Sequence, residues 1–167
     1  MKTLSEYQKE FQRLADIDFD FRNSPDIFSK TEEDFLKIDS VSNKFLKEFL
    51  EDYGFPKISL VGEKTSYYAW LFAQHSDFDL DFQKKYLSLM IENENDVDKR
   101  RIAYLTDRVL KNSELPQRYG TQFVFEDNKW VPYKLEDEKN VDKHRENFGL
   151  YPISEDIDYF NSNLKHP

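Results

Sequence analysis

Apolar positions spaced three and four apart dominate the first two thirds of the chain, and alternation in steps of two occurs in one place only. Leu4, Tyr7, Phe11 and Leu14 mark one face of a helix over residues 3–16. Thr3 followed by Glu6 is a capping-box pair at its start. Residues 17–30 mix Asp and Phe and then meet Asn23, Ser24 and Pro25, which predicts an irregular connection. Thr31, with three acids behind it, is placed to start the next helical element. In residues 41–56, Val41, Phe45, Phe49 and Tyr53 recur at four-residue steps. Leu46 and Leu50 widen that stripe, and Gly54 and Pro56 stop the helix. Residues 63–77 predict a third helix, apolar through its middle. Asp79 or Asp81 can cap a fourth, with Phe82, Tyr86, Leu89 and Met90 facing inward. Ile102, Leu105 and Val109 form the stripe of a fifth, which Pro116 ends.

From residue 119 the period changes. Tyr119, Thr121, Phe123 and Phe125 fall on one face of a strand, with Gly120, Gln122 and Val124 on the other. Glu126–Lys129 reads as a turn and Trp130–Tyr133 as a short returning strand. Pro132 has no N–H for a ladder, so that strand is expected at an edge or bulged. Asn140 can cap a late helix closed by Gly149, and a last short helix carries Ile157, Phe160 and Leu164. One region of period two among so many helical ones predicts an α+β fold, mainly α. The expected architecture is a helical bundle-like core with one short antiparallel β-hairpin near residues 119–133.

Composition narrows the class. At 167 residues, one domain spanning 1–167 is expected, and 15 Phe, 10 Tyr and 2 Trp predict an aromatic-rich core. The absence of cysteine excludes disulfides, thiolate metal sites and a Cys nucleophile. No signal-peptide h-region and no 18-residue apolar run occurs, so a cytoplasmic protein with no membrane association is the expectation. A net charge of −9 argues against nucleic acid as a partner and is compatible with a basic protein partner.

No phosphate-binding glycine loop, HExxH or GxSxG motif is present. Histidines at 75, 144 and 166 have no metal spacing, so neither a cofactor nor a tightly held metal is expected. What remains are polar residues where a core-facing helix position would ordinarily be apolar. His75 shares a face with Tyr68, Leu71 and Phe72, and Asp79 is placed to orient its ring. It reads either as a general acid or base or as a buried histidine bonded to backbone. Arg108 borders the stripe of the fifth helix and Asp107 points off it, where a surface ion pair is the simpler reading. Val141, His144, Arg145 and Phe148 share one face, so Arg145 needs a carboxylate, a carbonyl or a ligand anion. Gln122 needs an internal partner if both faces of its strand are covered.

The motifs YGFP, VG, QHSD, LTDR, PQRYGTQ and VDKHRENFGL, in that order, together resemble an uncharacterised bacterial family of unknown function with the pattern G-[WF]-P, V-G, Q-H-x-D, D-R, Q-x-Y-G-T-Q and V-D-x-x-R-x-x-x-G-L. The resemblance covers residues 39–150, with Asp39 and Asn43 included, and leaves residues 1–38 as an N-terminal extension packing on that core. It implies no activity, but it groups His75, Asp77, Asp107, Arg108, Gln117, Tyr119, Gln122 and Arg145. In that grouping His75, Asp107 and Tyr119 are the candidate catalytic groups, and Arg108, Gln117, Gln122, Arg145 and Asp77 the candidate ligand-binding ones. The expected function is a polar pocket for a small anionic molecule or peptide, used by a cofactor-independent acid–base hydrolase or transferase. The alternative is an acidic interaction module, such as an immunity protein neutralising a basic toxin.

Overall fold

The structure is a computed structural model that describes residues 2–163. Leu164, expected on the last helix, and His166 lie outside the described residues. Among the described residues the chain forms seven α-helices and one two-stranded antiparallel hairpin, a mainly helical α+β fold. It falls into two compact units, Met1–Val97 and Asp98–Pro167.

The first unit holds α1 (Leu4–Arg22), α2 (Glu32–Tyr53), α3 (Ile58–Gln74) and α4 (Leu80–Glu92). Thr3 and Thr31 each close a capping box, with Glu6 and Asp34 as the third helical residues. α1 runs through residues 17–22, where an irregular connection is expected from sequence. The stripe Tyr7, Phe11, Leu14 continues to Asp18, which is only 2% exposed, and this buried acid extends the helix by almost two turns. α2 is one helix from residue 32. Val41 lies outside its buried face at 53% exposure, because that face continues through Ser42 and Asn43 instead. Gly62, at φ +80°, breaks α3 near its start, in a conformation that favours glycine. The core of this unit is aromatic: Phe11 meets Phe45 edge-on at 4.9 Å and lies parallel to Phe72 at 5.7 Å.

The second unit holds α5 (Lys99–Asn112), β1 (Phe123–Glu126), β2 (Lys129–Pro132), α6 (Val141–Glu146) and α7 (Ile153–Asn163). Asp127 and Asn128 both take positive φ, as a two-residue hairpin turn requires. Pro132 pairs with Phe123 at the end of the ladder, where no N–H is needed. Asn161 of α7 caps the outer edge of β2: its Oδ1 accepts from Trp130 N at 2.9 Å and its Nδ2 donates to Trp130 O at 2.9 Å. Phe160 stacks on Phe123 at 4.0 Å.

The alternation seen from Tyr119 does not make a strand before Phe123. Residues 118–122 form a loop whose N–H groups turn to side chains, and only Gln117 makes a bridge, to Leu135. Gly120 (φ +67°) is packed so closely that an added Cβ would lie 2.4 Å from Ile153 Cδ1. Gly120→Ala combines that clash with a left-handed backbone and is expected to cost at least about 1–2 kcal/mol. Thermal unfolding of the variant checks this, and an unchanged midpoint would show that the loop can relax.

Candidate functional site

The candidate residues divide between the two units. In the second, they converge on the loop 117–122. Asp107, on the buried face of α5, accepts from Arg118 N at 2.8 Å, Tyr119 N at 3.0 Å, Thr121 N at 2.9 Å and Thr121 Oγ1 at 3.0 Å. It is fully buried, where an exposed position off the apolar stripe is expected from spacing alone. The difference arises because the loop folds over this side of the helix and presents its N–H groups there. Burial pushes the Asp107 carboxyl up, and the donors of the loop only partly oppose it.

Gln117 is likewise enclosed. Its Oε1 accepts from Gln122 N at 2.8 Å, while its Nε2 donates to Gln122 O at 2.9 Å and Tyr133 O at 2.8 Å. Gln122 finds the internal partners its burial demands: Arg108 Nη1 donates to its Oε1 at 3.2 Å, and its Nε2 donates to Thr121 Oγ1 at 3.2 Å. Tyr119 is 7% exposed, packs edge-on against Phe148 at 4.8 Å, and has its phenol pushed up by burial.

Arg145, at 1% exposure, is the largest fully buried side chain. Its Nε donates to Tyr151 O at 2.6 Å, its Nη1 to Tyr119 O at 2.8 Å, and its Nη2 to Asp156 at 2.5 Å. Carbonyls and a carboxylate therefore supply its partners from within this unit. His144, next to it, is half-buried and lines an open cavity of about 620 Å³ with Arg118, Tyr119, Asn147 and Phe148.

In the first unit, His75 is the C-cap of α3, one residue past the helix end. Its Nδ1 lies 3.1 Å from Asp18 Oδ2. Asp79, the orienting group expected from sequence, is occupied elsewhere. It caps α4 through Phe82 N at 3.2 Å and pairs with Lys47 at 2.5 Å. Asp77 is exposed and accepts from Gln83 Nε2 at 3.2 Å. The adjoining Ser76 is fully buried, accepts from Asn43 Nδ2 at 2.9 Å and donates to Phe72 O at 2.7 Å, which ties the end of α3 to α2.

Around His75 the helices assemble a charged cluster. Arg22, one turn after Asp18 on α1, donates from Nε to Asp18 Oδ1 at 2.8 Å and from Nη2 to Asp39 Oδ1 at 2.5 Å. One carboxylate oxygen from each of Asp18 and Asp39 and a ring nitrogen of His75 all lie within 4.8 Å of one another, the arrangement among the described residues with the donor set to hold a metal ion. The two carboxyls are shifted in opposite directions. Burial opposes ionisation of Asp18, but the His75 ring and Arg22 hold it below the usual carboxylate range. Burial pushes Asp39 up, and Arg22 and His75 only partly counter it.

Asp18 and Arg22 are the residues that sequence reasoning misses. The signal was present: residues 7, 11, 14 and 18 continue one helical stripe, and an acid on such a stripe needs a partner. A helix that stops at residue 16 leaves Asp18 off that stripe.

A family model described as a family of unknown function (DUF6624) matches residues 9–165. The match starts well before Asp39, so most of the segment outside the motif resemblance, Asp18 and Arg22 included, lies within the family's span. No curated protein and no solved structure matches the chain. The chain belongs to the DUF6624 family.

Proposed function

We propose that this member of the DUF6624 family acts on a small molecule or peptide by hydrolysis or group transfer, with Asp18, Asp39 and His75 as the catalytic centre. The observation that carries this reading is the convergence within 4.8 Å of three ionisable groups, from α1, α2 and the C-cap of α3, around a carboxylate that is 98% buried by its side chain. Structural ion pairs bury charges in matched partners. Here two carboxylates share one guanidinium and an imidazole, with their ionisation pushed in opposite directions, as in sites that move protons. Asp107, Gln117 and Arg145 are read as the scaffold of the 117–122 loop, since each spends its polar atoms on that loop or its neighbours.

The test uses purified protein against chromogenic ester, amide, phosphoester and glycoside panels. Turnover in one class is expected, and His75→Gln is expected to reduce it by roughly a hundredfold or more while the circular dichroism spectrum is kept. Turnover equal in wild type and variant, or absent in every class, would sink the reading.

A further inference from the structure

We infer that one oxygen each of Asp18 and Asp39 together with His75 Nδ1 forms a binding site for a divalent first-row transition metal ion. This rests on the reading of the Asp18–Asp39–His75 cluster as the functional centre and goes beyond it by naming the cofactor class.

The first argument is the geometry of the closest pair. Asp18 Oδ2 and His75 Nδ1 approach to 3.1 Å, yet no protein group makes an aligned hydrogen bond to either atom. A histidine oriented by a carboxylate would direct its N–H along that line. Two ligands of one ion behave differently, because both lone pairs aim at a shared point off the line between them. With metal–ligand bonds of about 2.0–2.2 Å, adjacent ligand atoms stand roughly 3.0 Å apart at right angles and about 3.4 Å apart in a tetrahedron. The observed separation falls in that interval, and the Asp39 oxygen lies within 4.8 Å of both atoms, close enough for a side-chain adjustment to bring it onto the same ion.

The second argument is how Arg22 holds the carboxylates. It takes Oδ1 of both Asp18 and Asp39, which constrains both carboxylates, and leaves Oδ2 of Asp18 3.1 Å from His75 Nδ1. Outer partners of this kind are what position ligating carboxylates. Charge agrees. Two carboxylates and one guanidinium sum to −1, so a dication makes the centre +1, and an added water-derived hydroxide or a substrate oxyanion neutralises it. Three protein ligands with open positions is the pattern of a catalytic ion. The mixed imidazole and carboxylate donors select zinc, manganese or iron(II) over calcium and magnesium, which prefer oxygen alone. The spacing of residues 18, 39 and 75 hides this set from motif searches, which explains why no metal is expected from sequence.

The experiment is calorimetric titration of the chelator-stripped full chain with Zn²⁺ and Mn²⁺, with the Co²⁺ visible spectrum as a second readout. One equivalent is expected to bind. Asp18→Asn, Asp39→Asn and His75→Gln should each weaken binding by at least about tenfold. A His144→Gln control, altering the other described histidine, should bind as wild type does. Should a variant fail to fold, the proton spectrum of the Co²⁺-loaded wild type decides, since one paramagnetically shifted histidine ring assigned to His75 is expected. Absence of saturable binding by the folded wild type would overturn the inference, as would binding that survives all three substitutions or a shifted ring belonging to another histidine. Turnover that persists in chelator would overturn the metal and leave the proposed function standing. Stoichiometric metal with no turnover would do the reverse.

Discussion

Asp107→Ala is expected to destabilise the chain by about 3–5 kcal/mol, the range for removing one partner of a buried charged network. The carboxylate is fully buried and receives three backbone N–H groups and one hydroxyl from residues 118, 119 and 121. Deleting it leaves those donors without their acceptor, those of Tyr119 and Thr121 in buried positions, and each hydrogen bond to a charged acceptor contributes about 1.5–3 kcal/mol. The contributions are not additive, so the loss is set below their sum. Asp107→Asn should recover part of it, because one oxygen survives while the new amide faces N–H donors it cannot accept from. Urea unfolding followed by circular dichroism gives the measurement. A loss below about 1 kcal/mol would show that the loop is held by Gln117 and the hairpin instead.

The second large effect is at Arg145. Arg145→Ala removes the partner of Asp156 and of the carbonyls of Tyr119 and Tyr151, and leaves a cavity where the largest fully buried side chain stood. A destabilisation of about 3–5 kcal/mol is expected. Arg145→Lys should restore little of it. Three different guanidinium nitrogens reach those three acceptors in a fixed fork, and a single ammonium cannot span them. A residue kept for holding a ligand anion would behave otherwise: alanine would preserve the unfolding midpoint and abolish binding. The same urea titration separates the two.

Most of the fold is legible in the residue pattern because helices and hairpins are local. Capping pairs at Thr3 and Thr31, stripes three and four apart, and the Asp-Asn turn each depend on a few neighbouring residues. The errors fall where a distant partner changes what a position wants. Residues 17–22 look irregular until Asp18 meets His75 and Arg22. Val41 looks like core until Asn43 binds Ser76. Alternation from Tyr119 resembles a strand until Asp107 takes the loop's N–H groups.

The candidate site divides in the same way. Three of its conspicuous residues, His75, Gln122 and Arg145, could be picked out because each is polar beside an apolar stripe, whereas Asp107 and Gln117 are grouped with them only by the family resemblance. For those three, burial and partner demand follow from periodic spacing, which the amino-acid sequence by itself determines. Which partner each one takes was decided only by the tertiary structure. Asp18, Asp39 and His75 stand 21 and 36 positions apart and become neighbours because α1, α2 and α3 pack together. Asp79 sits four residues from His75 and caps α4 instead. Helical periodicity tells which face a side chain occupies, and the packing of separate helices, driven by burial of their apolar stripes, sets what lies opposite it.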